Sequence, residues 1–314
     1  MLQRIIKEMK EVKEMKLQDS LLTSKIKCIT AMFLFGTIGI FVHYIPLPSS
    51  VIAFVRGIIG TLFLLLITLV TKNKLLWEDI KKNLFLLCLS GAFIGINWIL
   101  LFESYRYTSV ATATLCYYMA PIFVIVASPI LLKETLSRRK VCCVIVALTG
   151  MVFVSGIIQT GISLWEVRGI SCGIGAAVFY SLVIISNKKM KPISSYDKTI
   201  VQLFIAAVVV LPYIFIIGDI KEITLTPVSI GLLFVVGIVH TGLAYTLYFG
   251  SMKDLKAQTV AIFSYIDPVV AIILSALLLK EKMETTGMIG AVLILGAALF
   301  SELPEKENGR KKKT

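Results

Sequence analysis

The chain has 314 residues, of which 57% are apolar and 16% charged, and its mean hydropathy is +0.88. A soluble domain is about 45–50% apolar and about 25% charged, so the composition excludes an ordinary water-solvated domain and points to a chain embedded in lipid. The formal net charge of +13 does not mark a nucleic-acid partner, because the basic residues fall in short loops between apolar stretches, where they report membrane topology.

Residues 1–25 open the chain. Leu2, Ile5, Ile6, Met9 and Val12 recur at helical spacing, and Lys7, Lys10, Lys13 and Lys16 stand between them, interrupting any apolar run before it reaches signal-peptide length. The segment reads as a basic amphipathic helix lying on an anionic inner leaflet, or as a frayed tail. Apolar runs long enough to cross a bilayer follow at 26–45, 49–70, 84–105, 109–132 and 140–158, then at 168–186, 198–218, 227–250, 257–279 and 286–303. The expected fold is an all-α integral membrane protein of ten transmembrane helices, with units 26–158 and 159–303 and a basic tail at 304–314. The loops are too short to hold a soluble domain.

Ten spans place both termini on one side. If that side is the cytoplasm, the inner loops carry Lys72, Lys74, Lys81, Lys82, Lys133, Arg138, Arg139, Lys140, Lys188, Lys189, Lys191, Lys198, Lys253 and Lys256. The outer loops keep only Arg106, Arg168, Lys221, Lys280 and Lys282, which matches the positive-inside rule for a multi-pass protein of the cytoplasmic membrane. Cys28, Cys88, Cys116, Cys142, Cys143 and Cys172 all fall in apolar segments without CxxC spacing or nearby histidines. They read as packing residues, and no cofactor or metal is expected.

Sliding the chain along itself by 147 positions brings Ser104, Thr112, Tyr118, Pro121, Ser128, Lys133 and Glu134 onto Ser251, Thr259, Tyr265, Pro268, Ser275, Lys280 and Glu281. Each unit holds five spans, so the second copy enters the membrane inverted, a plan that places a substrate site between the halves near the midplane.

These residues resemble the EamA family of the drug/metabolite transporter superfamily. The likeness covers 26–155 and 168–301, and rests on FVRGIIG at Arg56, on YYMAPIFVIVASPILLKE ending at Glu134, and on SYIDPVVAIILSALLLKE ending at Glu281. Two positions depart from the pattern: Gly57 follows Arg56, and the seventh span carries Gln202 instead of a second arginine. The resemblance implies a permease for a small metabolite, such as an amino acid or related compound, with export the favoured direction.

A charge in hydrocarbon costs about 2.5–3.5 kcal/mol, so charged residues left in spans should face protein or water. Asp267 is the foremost candidate, since Pro268 frees backbone carbonyls beside it and its carboxylate can hold a cationic group or take up a proton on each cycle. Pro121 should kink the fourth helix in the same way, although Ala120 stands where the acid would be. Arg56 and Glu103 lie at similar depth and are expected to pair; Arg56 alternatively clamps a substrate carboxylate. His240 is a proton relay or a packing residue. Tyr118, Tyr265, Tyr245, Trp98 and Asn97 are expected at the cavity wall, whereas Tyr44, Tyr105 and Tyr107 are assigned to an interfacial belt. Glu134 and Glu281 are read as local caps or pairs, not ligands. The partners expected are thus a small solute and the bilayer, with proton coupling through Asp267. The rival readings are a channel, which would need charged rings or a filter loop, and a membrane enzyme, for which no catalytic cluster is visible.

Overall fold

The computed structural model describes residues 2–72, 75–108, 110–154, 167–217, 225–278, 285–301 and 303. Every regular element among them is helical. The first unit contains α1 (Leu2–His43), α2 (Ser49–Val70), α3 (Trp77–Tyr107), α4 (Val110–Tyr117), α5 (Ala120–Leu131) and α6 (Arg138–Val154). The second contains α7 (Val167–Lys189), α8 (Ser195–Ile217), α9 (Pro227–Gly237), a wide π turn (Ile238–Leu243), α10 (Ala244–Ser251), α11 (Ala257–Phe263), α12 (Ile266–Leu278) and α13 (Thr285–Ser301). Among the described residues, six helices are long and apolar enough to cross a membrane: Gln18–His43, Ser49–Val70, Trp77–Tyr107, Val167–Lys189, Ser195–Ile217 and Pro227–Ser251. Shorter apolar helices accompany them.

Two expectations need correction. The amphipathic segment does not lie flat: α1 is one helix of 42 residues, about 63 Å long at 1.5 Å per residue, so its start extends the axis of the first span beyond a bilayer core about 30 Å thick. The fourth and ninth runs are not kinked helices but broken ones, α4–α5 and α11–α12. The eighth run passes without a break through the π turn, which holds His240.

The two breaks share a cause. Proline has no amide hydrogen, so Pro121 cannot bond the carbonyl of Tyr117 and Pro268 cannot bond that of Ser264. Accordingly α4 stops at Tyr117 and α11 at Phe263, capped by Ser264. The chain tightens to three-residue hydrogen bonds there, Met119 to Cys116 (3.2 Å) and Tyr265 to Ile262 (3.2 Å), before the next helix begins.

Packing runs mainly between the units. Helix α3 lies along α7 and α8, α2 along α8, α6 along α13, and α1 along α10 and α12. Exchanging the units maps the α3–α7 contact onto α10–α1, and α5–α7 onto α12–α1. Lipid removes the hydrophobic incentive for helices to associate, so close approach and dispersion must hold them together, and small residues permit it. A Cβ on Gly95 would stand 2.8 Å from the Cβ of Val209, and one on Gly91 2.8 Å from that of Ile205. Gly237 approaches Ile59 in the same manner, at 2.5 Å, and repeats the Gly91–Ile205 contact with the units exchanged.

Gly95→Val should therefore push α3 from α8 and destabilise the protein by about 1–3 kcal/mol. Gly296→Ala, whose Cβ would meet nothing within 4 Å, should leave stability unchanged. Thermal unfolding of both purified variants in detergent checks the contrast.

Candidate functional site

The helix breaks face each other across the unit boundary. Tyr265 is fully buried, and its hydroxyl donates to the backbone carbonyl of Tyr118 at 3.1 Å, between positions equivalent in the two units. That carbonyl is free because the amide of Ile122 bonds Met119 instead. Tyr265 is therefore a tie between the units and does not reach a cavity wall. The Tyr118 side chain supplies the hydrogen-bond partner of the Asp267 carboxyl. Ala120 offers no such partner on the other side.

Asp267 retains partial exposure inside the bundle, as do Arg56, Tyr117, Tyr180 and Tyr245. Asp267 lies within electrostatic reach of Tyr117, Tyr180 and Tyr245, so these side chains gather at one place between the units. The Arg56 guanidinium lies 4.3 Å from the centre of the Trp98 ring, a cation–π contact, and within electrostatic reach of Tyr245 and Tyr117. Its Nε is buried without a hydrogen-bond partner. Tyr117 stacks on Tyr180 with ring centres 5.5 Å apart, and Tyr180 on Tyr248 at 6.4 Å, their hydroxyls hydrogen-bonded at 2.7 Å. Phe35 closes edge-on against Tyr245 at 5.0 Å. The arrangement offers one guanidinium and one carboxyl, each without an ionic partner among the described residues, amid aromatic faces. It can receive a small molecule that carries both an anionic and a cationic or apolar group.

Arg56 and Glu103 do not pair. Glu103 takes Arg106, one turn along α3, at 3.0 Å and accepts from the Tyr213 hydroxyl on α8 at 2.6 Å. Equal depth in two helices does not fix which way each turns, and Arg56 turns onto Trp98. His240 is 2% exposed; its Nε2 meets the Thr37 hydroxyl at 2.8 Å and its ring tilts against Phe41 at 4.7 Å, so it fastens α1 to the π turn. Asn97 is likewise buried and donates to the Ala176 carbonyl at 2.7 Å, joining α3 to α7.

Tyr105, assigned above to an interfacial belt, also has partners inside the bundle. It hydrogen-bonds Thr114 and lies within electrostatic reach of Asp267 while remaining 38% exposed. The repeat carries a signal for it, because the position 147 residues on is Met252, which is 2% exposed near the opposite end.

Glu134 caps a helix of the other unit rather than its own neighbour. Lys133 takes a left-handed conformation (φ 56°), and the Glu134 amide donates back to the Ser128 carbonyl at 3.3 Å, closing α5. The Glu134 carboxylate then accepts from the first amides of α11, Ala257 at 2.8 Å and Gln258 at 3.5 Å. Gln258 returns a bond to the Ser128 hydroxyl at 2.9 Å. Glu281 lies outside the described residues.

Comparison with known proteins finds the EamA-like transporter family matching residues 24–156 and 167–302, one match per unit. The protein named Uncharacterized transporter YxxF of Bacillus subtilis is 30% identical over 283 residues, covering 88% of this chain and 89% of its own. Protein RarD of Salmonella typhi is 23% identical, covering 85% and 92%. A crystal structure at 17% identity superposes with a TM-score of 0.79 over 89% of this chain and 96% of that one, a likeness of fold.

Removing the Glu134 carboxylate leaves two amides at the start of α11 uncapped in a buried setting. Glu134→Ala should cost about 1–2 kcal/mol, and Glu134→Gln, which keeps one acceptor oxygen, less than that. Unfolding midpoints in detergent distinguish them.

Proposed function

Because the chain belongs to the EamA-like transporter family, we propose that it is a secondary transporter carrying a small metabolite, such as an amino acid or related compound, across the cytoplasmic membrane by alternating access. Export is the direction favoured. What supports the reading is the cluster itself: Arg56 and Asp267 both lie within electrostatic reach of Tyr117 and Tyr245, and neither has an ionic partner among the described residues. Buried charge of this kind is costly unless a solute or proton meets it during the cycle.

Ten spans belong to the same reading, with α4–α5 and α11–α12 each counted as one broken crossing and α6 and α13 as short ones. Five crossings per unit set the second copy upside down, and the exchange of helix pairings between units supports that inversion. Both ends then lie in the cytoplasm, in keeping with the Lys and Arg distribution.

In this orientation the cleft opens outward and is shut toward the cytoplasm. Tyr105 at its mouth is 38% exposed, whereas Tyr248, Phe249, Met252 and Leu255 at its floor are almost wholly buried. Below them the Lys188 ammonium donates to the carbonyls of Met252 (3.0 Å) and Leu255 (2.7 Å), and Asp254 accepts from Ser20 and Ser24 at 2.9 and 2.8 Å. These contacts hold the loop after α10 against α1 and α7. Opening inward requires them to part while the units rock about their shared breaks. The Asp267 carboxyl can take up or release a proton as its surroundings change, which is the route by which a proton gradient would drive the cycle.

Proteoliposome uptake and counterflow against a panel of amino acids and related metabolites test the function: saturable counterflow is expected, and pore-like flux would overturn it. Asp267→Asn and Arg56→Gln should each lower transport by about tenfold or more while remaining monodisperse in detergent. Wild-type transport by folded Asp267→Asn would remove that carboxylate from the cycle.

A further inference from the structure

Lys198 is 6% exposed in the inward half of α8, and its ammonium has no hydrogen-bond acceptor and no carboxylate among the described residues. Lysine is almost never buried without a partner. The Phe249 ring lies 5.9 Å away on α10, and Lys188, whose own ammonium is taken up by the Met252 and Leu255 carbonyls, lies within electrostatic reach. The adjacent Asp197 accepts from the Leu76 amide at 3.3 Å and makes no ion pair with Lys198 among the described residues.

The setting resembles that of Arg56, a cation on the second span of a unit over a ring on the third, although the positions are not equivalent. Arg56 rises from α2 over Trp98 of α3, and Lys198 rises from α8 over Phe249 of α10, the helices that correspond to α2 and α3 in the second unit. Gln202, which stands at the position matching Arg56, is fully buried and engaged with the Ser90 hydroxyl of α3. The cation is thus displaced by one helical turn toward the cytoplasm. We propose that Lys198 is an anion-binding post for the inward-open state, receiving from the cytoplasm the carboxylate or similar anionic group of the solute that Arg56 holds in the outward-open cleft. The inference rests on the transport reading above and adds to it a requirement: the solute carries an anionic group, and it meets a lysine on one side and an arginine on the other. In this arrangement Lys198 is buried as a residue. Its lack of an internal acceptor leaves its hydrogen-bonding capacity for the incoming anion.

The test uses the full chain in proteoliposomes of defined orientation. Trinitrobenzenesulfonate, an anionic amine reagent, is applied from the cytoplasmic face, and adducts are located by peptide mass spectrometry. Lys198 should be modified from that face, faster in Asp254→Asn, where the Ser20 and Ser24 contacts are weakened, and sodium benzoate should slow the modification where benzylamine does not. A Lys198 that stays unmodified in both proteins, or that benzoate fails to protect, is a packing residue, and the proposal falls. In parallel, uptake of radiolabelled phenylalanine and phenethylamine is compared in wild type, Lys198→Met and Lys198→Arg. Loss of phenylalanine uptake by about tenfold in the methionine variant, with recovery in the arginine variant, is the expected result, and equal uptake in all three overturns it. If wild type moves neither probe, the transport reading is what suffers, while the labelling result still decides whether Lys198 meets anions.

Discussion

Inside a bilayer a backbone carbonyl without a partner costs several kcal/mol, and this chain places two prolines where they create such carbonyls. Pro121 and Pro268 each stop a helix in mid-course. The orphaned groups can be met only by side chains from elsewhere or by water in a cleft, so the breaks must face protein interior. Tyr265 meets the Tyr118 carbonyl, and the Tyr118 side chain in turn meets Asp267. One backbone constraint thereby brings together the two units, the site's carboxylate and the aromatic residues around it.

The remaining charges follow the same logic of compensation, but with different partners at different depths. At one end Glu103 is paired with Arg106 and accepts from the Tyr213 hydroxyl. At the other end Glu134 is absorbed by the amides of α11, and Lys188 by carbonyls of the loop before it. Between these sealed ends Arg56 rests on an aromatic face and Asp267 on a phenol, which are weak substitutes for a counter-ion. Among the described residues, the strong ionic contacts lie at the ends and the middle is left unsaturated.

Much of this plan was legible in the chain. Hydropathy located the long spans, the offset of 147 tied Tyr118 to Tyr265, and the prolines marked where the helices fail. Arg56 and Asp267 stood out because charge is scarce in lipid. What sequence spacing lacks is rotation: depth along α2 and α3 placed Arg56 beside Glu103, but the facing of each helix sends one to Trp98 and the other to Arg106. Contacts between units were equally hidden. Nothing local to Glu134 announces that its partners lie more than a hundred residues away, and Lys198 reads as a loop cation until α8 is seen to begin at Ser195.

The π turn at Ile238–Leu243 settles a smaller puzzle of bookkeeping between the two copies. Before it, Gly237 answers to Gly91 at an offset one residue short of 147; after it, Tyr245 and Tyr248 follow at the full offset. A π turn is the form an α-helix takes when it swallows a single extra residue without snapping. The second copy has gained one amino acid here, and because the wide turn takes it up, the helix beyond keeps its facing, so that α10 still meets α1 as α3 meets α7. One loosened turn thus lets two copies of unequal length present matching faces to each other.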